Sequence, residues 1–100
     1  MEVICEVMKL KPERVRDYVE LHEHTWPELI RAIRDCGFLE EYIYLLDNQV
    51  MVVMKCEDFQ ASVRQLAATS IYQKWTTEVR CMLVENKLID LSPIWDLSKL

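Results

Sequence analysis

A single glycine, Gly37, stands among the 100 residues. Phosphate-cradling loops need several residues whose bare backbone can approach the ligand, so this chain cannot build one. There is no G-x-S-x-G nucleophile elbow either. The four cysteines, Cys5, Cys36, Cys56 and Cys81, form no C-x-x-C pair, which argues against a zinc ribbon or a redox motif and predicts buried thiols. Long apolar runs are missing too. The longest strongly apolar stretch, Val50–Met54, is far below the roughly 20 residues of a membrane-spanning helix, and no basic segment opens the N-terminus. Cations are outnumbered, 12 Lys and Arg against 17 Asp and Glu, and a net charge of −5 disfavours binding to phosphate backbones. These absences together predict a cytoplasmic protein with no nucleic-acid or membrane partner.

What is present fits a packed core: 51% of the residues are apolar and 29% charged. The length has room for one domain spanning residues 1–100. So small a domain buries only a modest core, and a homodimer interface would add to it.

Residues Val3–Lys9 alternate as a strand does. Pro12 opens a helical pattern in which Val15, Tyr18, Val19 and His22 recur at spacings of three and four. Pro27 predicts a kink or a restart before Leu29, Ile30 and Ile33, and Gly37 closes the helical segment. A hairpin follows, Glu41–Leu46 and Val50–Cys56, joined by Asp47-Asn48-Gln49. Its second arm is apolar on both faces, so helices are expected on one and a second subunit on the other. Asp58 caps a helix carrying Phe59, Val63 and Leu66, and Thr69-Ser70 starts another with Tyr72 and Trp75. A last strand is expected around Val79–Val84. The apolar tail from Glu85 onward, with Ile94, Trp95 and Leu97, is expected to dock, most naturally at the dimer interface. The order β-α-β-β-α-β is the ferredoxin-like α+β arrangement.

Both histidines lie in Leu21–Glu28. His22 shares the inward stripe with Tyr18, four residues earlier, while His24 points about 200° away at ~3.6 residues per turn. An imidazole beside a phenol is a competent proton-transfer pair, although spacing alone fits a hydrogen-bonded core histidine at least as well. Two histidines two residues apart diverge on a helix, which makes a metal site the weaker reading. Tyr42, Tyr44 and Trp75 suit either the apolar face of a sugar or plain core packing. Glu41 alternates with Ile43 and Leu45, so it is either a carboxylate aimed at an apolar face or a solvated strand end.

Several motifs combine in order. Tyr18-x-x-x-His22, Trp26-Pro27-Glu28-Leu29, Tyr42-Ile43-Tyr44-Leu45, Ala68-Thr69-Ser70 through Gln73-Lys74-Trp75, and Asp90-Leu91-Ser92-Pro93 together resemble the L-rhamnose mutarotase family over nearly the whole chain. The resemblance implies a dimeric α+β barrel that interconverts α and β anomers of L-rhamnose or a related deoxyhexose such as L-fucose, without metal or cofactor. It implies His22 as proton donor, and Tyr18, Glu41, Trp75 and Thr76 as the substrate-binding positions. Two of these depart from the pattern, which has tyrosine at the place of Glu41 and a second tryptophan at the place of Thr76. Two stacking surfaces are thereby replaced by a carboxylate and a hydroxyl, groups suited to hydrogen-bonding a sugar hydroxyl. Glu41 or a water is expected to accept the second proton of the reaction. Two other readings stay open: a non-catalytic binding or regulatory dimer, and, by fold analogy alone, a cofactor-free or haem-dependent monooxygenase.

Overall fold

The computed structural model describes residues Met1–Leu100. Strand β1 (Glu2–Lys9) leads through a 3-10 turn at Pro12–Arg14 into helix α1 (Val15–Glu23). Helix α2 begins at Pro27, whose missing amide hydrogen costs nothing in a first turn, and ends at Asp35. The chain thus breaks the helix between Glu23 and Pro27 rather than bending it. Gly37 then adopts φ +98°, the left-handed conformation, and releases the chain into β2 (Phe38–Leu46). A two-residue turn, with Asp47 also at positive φ, leads into β3 (Gln49–Cys56). Asn48 secures this turn by donating from Nδ2 to the Leu10 carbonyl at 2.8 Å.

Helix α3 (Phe59–Ala67) starts at Asp58, whose side chain accepts the Ala61 amide at 3.2 Å. Helix α4 (Ser70–Arg80) starts at Thr69, whose hydroxyl accepts the Tyr72 amide at 3.3 Å. Both caps stand where the sequence predicts them. The hairpin's first arm is longer than its apolar alternation indicates, because a bulge at Leu39 lets the strand start at Phe38.

The last strand corrects the expectation. Residues Val79–Val84 are not a strand: α4 runs on to Arg80, and Met82 and Leu83 are buried at the helix exit. Val79, Met82 and Leu83 are three and four apart, a helical spacing that carries them into the core. Only Leu83 bridges back, to Leu10. The fourth strand, β4, is the short Ile89–Leu91.

All four strands form one antiparallel sheet in the order β2-β3-β1-β4, an α+β ferredoxin-like fold. Its inner face carries Ile4, Met8, Val50, Val52, Met54 and Cys56, buried with Tyr18, Leu66, Met82 and Leu83 from the helical layer and its exit. The outer face carries Tyr42 and Tyr44, both about half exposed. No helix is long and apolar enough to cross a membrane.

A Cβ added at Gly37 would lie 3.0 Å from the buried Ser62 hydroxyl, at a φ that L side chains resist. Gly37→Ala is expected to cost about 1–3 kcal/mol of stability, read from the urea midpoint of the two proteins.

Candidate active site

A hollow of about 150 Å³ opens between the inner face of the sheet and the helices. A second, of about 320 Å³, adjoins it toward α2, and His22, Glu41 and Trp75 line both. Tyr18 and Thr76 line the first, so one place gathers all five positions singled out in the sequence.

Helical spacing stacks His22 against Tyr18, with ring centroids 4.2 Å apart. Trp75, buried in α4, meets His22 edge-on at 5.0 Å and Trp26 at 5.1 Å. The imidazole is therefore clamped between two helices. His22 Nδ1 lies 2.7 Å from the Tyr18 carbonyl oxygen. A carbonyl only accepts, so Nδ1 carries the hydrogen and the neutral ring keeps its lone pair on Nε2. Burial lowers the His22 pKa below the ordinary imidazole value, and the hydrogen bond to Tyr18 only partly offsets it. At neutral pH His22 is an uncharged base of fixed tautomer.

Tyr18 is buried, and its phenol is pushed well above the usual range by burial and then by the charges of Glu41 and Glu6. It remains a proton-bearing hydrogen-bond donor throughout the physiological range. Glu41 sits on the edge strand β2 and is pushed upward by desolvation. Its residue surface is exposed, so water tempers that push. The Thr76 hydroxyl donates to the Gln73 carbonyl at 3.1 Å, which leaves it acceptor capacity toward the hollow. His24 is exposed at the end of α1, apart from this group, and no cluster of three metal-ligating side chains includes either histidine.

The structure adds residues that sequence reasoning passed over: Glu6, Asp90, Tyr72 and Arg80 also line the first hollow. Glu6 was detectable, since it stands between Ile4 and Met8 on the inward side of an alternating strand. Its carboxyl is pushed up to about 7, first by burial, then by the charge and hydrogen bonding of Asp90 and by the charge of Glu41. Asp90 stands in one of the motifs quoted above, but its place in this wall was hidden because the last strand was expected at Val79–Val84. Tyr72 is raised by burial and by the same three carboxylates, with Arg80 opposing them.

Comparison with known proteins bears on the family and the fold. The family model for L-rhamnose mutarotase matches residues 3–96. The chain belongs to the L-rhamnose mutarotase family. It is an enzyme of the isomerase class, a sugar mutarotase. An L-rhamnose mutarotase of Shouchella clausii is 31% identical over 90 residues, covering 88% of this chain and 84% of the relative. One of Acidiphilium cryptum is 29% identical, covering 93% and 88%. Among solved structures, an L-rhamnose mutarotase from Formosa agariphila superposes with a TM-score of 0.78 at 23% identity, over 97% of this chain and 99% of that one. An antibiotic biosynthesis monooxygenase superposes with a TM-score of 0.70 at 13% identity, over 95% and 100%, a likeness of fold alone.

The first hollow carries a stability signature. Glu6 binds its proton more tightly in the fold than in the unfolded chain, so its contribution is full below its ordinary value of 4.5 and is lost as pH rises through about 7. Glu6→Gln escapes that loss. It is expected to be more stable than the wild type at about pH 8, by on the order of 1–2 kcal/mol after allowing for partial exposure, with the gap closing below about pH 4.5. Urea unfolding at both pH values reads the difference.

Proposed function

We propose that this chain interconverts the α and β anomers of L-rhamnose or a closely related deoxyhexose such as L-fucose, with His22 exchanging the proton of the anomeric oxygen. The observation that carries the reading is the state of His22: uncharged, bonded through Nδ1 to the Tyr18 carbonyl, and set in the wall of both hollows with Nε2 as its free base. A hemiacetal opens when its anomeric hydroxyl loses a proton while the ring oxygen gains one, and it recloses on either face of the aldehyde. Nε2 takes the first proton on opening and returns it on closing. Tyr18 and Trp75 pack the imidazole on two sides and offer the sugar a phenol and an aromatic surface. Glu41 and Thr76 supply hydrogen bonds to sugar hydroxyls. Their polarity favours a substrate with a hydroxyl where a stacking ring would otherwise lie.

Saturation transfer between the two anomeric proton signals measures the exchange directly. With L-rhamnose and L-fucose tested beside ordinary hexoses, the wild type is expected to accelerate exchange of at least one deoxyhexose, and His22→Ala to lose about 10²-fold or more of that rate while keeping its circular dichroism spectrum. A His22→Ala protein with full activity overturns the assignment of His22. Saturable binding without exchange in the wild type supports the non-catalytic binding dimer instead.

The same chain is proposed to work as a single-domain homodimer. Tyr42 and Tyr44 on the outer face of the sheet, with Leu46, Leu91, Ile94 and Trp95, leave an apolar surface that is half to fully exposed in one subunit. A second subunit would cover that face and give the tail its docking site. Light scattering is expected to give twice the chain mass for the wild type and a lower mass for Tyr44→Lys. A wild type that stays monomeric overturns the interface.

A further inference from the structure

Mutarotation needs two proton transfers, and His22 serves only one oxygen. The register of the sheet points to the group that serves the other. Ile43 pairs with Val52, Val52 with Glu6, and Glu6 with Asp90, so these four residues form one row across β2, β3, β1 and β4. The row lies under the helices. It begins with two apolar side chains and ends with two carboxyls side by side, in the wall of the hollow that also holds His22. Neither carboxyl has a salt-bridge partner within 4 Å: the ion pairs of this chain are Arg14–Asp17, Arg16–Glu20 and Lys55–Glu40. The groups facing Glu6 across the hollow are Tyr18 and His22 from α1, Tyr72 and Arg80 from α4, Glu41 from β2 and Asp90 from β4. Of these only Arg80 carries a permanent positive charge. Glu6 is partly buried and Asp90 exposed, and the charge of Asp90 beside it favours the protonated form of Glu6.

We infer that Glu6, set beside Asp90 in the wall of this hollow, is a second catalytic residue, which protonates the ring oxygen while His22 takes the proton of the anomeric hydroxyl. The inference rests on the mutarotase reading above and deepens it. In the opening step the anomeric O–H bond breaks and its proton passes to Nε2. Its electron pair forms the carbonyl, the bond from the anomeric carbon to the ring oxygen breaks, and the ring oxygen takes the proton of Glu6. Imidazolium and carboxylate now flank an open-chain aldehyde. After rotation about the bond next to the aldehyde, the carboxylate takes the proton back from the hydroxyl that attacks the carbonyl. The imidazolium returns its own proton to the anomeric oxygen. Each group ends as it began, and no further reactant is needed.

The two environments push in the directions this division requires. Burial lowers the imidazole and keeps it a base, while burial and Asp90 raise the carboxyl and keep it an acid. Exchange is therefore expected to follow a bell-shaped pH profile, falling on the acid side as His22 protonates and on the alkaline side as Glu6 ionises near about 7. Saturation transfer with the best deoxyhexose, run across that range, tests it. Glu6→Gln is expected to lower the maximal exchange rate by about 10²-fold with little change in the half-saturating sugar concentration, and to erase the alkaline limb. Glu6→Asp recovers part of the rate. Asp90→Asn removes the neighbouring charge, so the alkaline limb moves to lower pH. Glu6→Gln with wild-type rate and an intact alkaline limb, in a protein whose His22→Ala variant is dead, overturns the role of Glu6 and spares the mutarotase reading. Absence of exchange in the wild type for every sugar removes both together. A Glu6→Gln protein that has lost rate but keeps the alkaline limb, with no recovery in Glu6→Asp, makes Glu6 structural and also overturns the proposal.

Discussion

Alternation along β1 is the constraint on which the rest of the molecule depends. The strand is central, paired with β3 on one side and β4 on the other, and its inward residues are Ile4, Glu6 and Met8. Two apolar neighbours anchor it under the helices, since a shift of one residue would turn the whole inward set to the outer face. Between them, the same register leaves Glu6 no choice but to stand inside. A charge there is costly, and the charge of Asp90 on the adjoining strand adds to that cost. A strand that holds the core together thus also introduces the one strongly perturbed carboxyl of the cavity wall.

The opposite wall depends on a different periodicity. Tyr18 and His22 are one helical turn apart, so the ring of one leans on the ring of the other and the histidine reaches back to the tyrosine carbonyl. That single hydrogen bond fixes the tautomer, and burial fixes the charge state. Trp75 closes the third side from α4, brought there by the packing of α2 against α4 rather than by any local spacing. The two titratable groups therefore come from two kinds of secondary structure, whose environments push their proton affinities in opposite directions.

Much of this was legible beforehand. Asp58 and Thr69 announced their helices through local capping chemistry, Pro27 and Gly37 marked a helix start and stop by their backbone geometry, and the motifs around His22, Trp75 and Asp90 carried the family resemblance. The failures have physical causes. Val79, Met82 and Leu83 are apolar at spacings compatible with a strand end or a helix end, and local pattern does not separate the two. The true edge strand, Ile89–Leu91, is three residues long, exists only because β1 offers it an unpaired edge, and gives no periodic signal of its own.

By itself the sequence determined the element order, the caps, the inward stripe of Tyr18 and His22, and the family, because each follows from interactions between residues close along the chain or from motifs in a fixed order. Only the tertiary structure decided which carboxyls meet. Glu6 and Asp90 are 84 positions apart, and their pairing depends on strand register, a cooperative property of the whole sheet. The raised proton affinity of Glu6 is likewise a property of the enclosed site, since it arises from lost solvation and a neighbouring charge that no stretch of sequence contains.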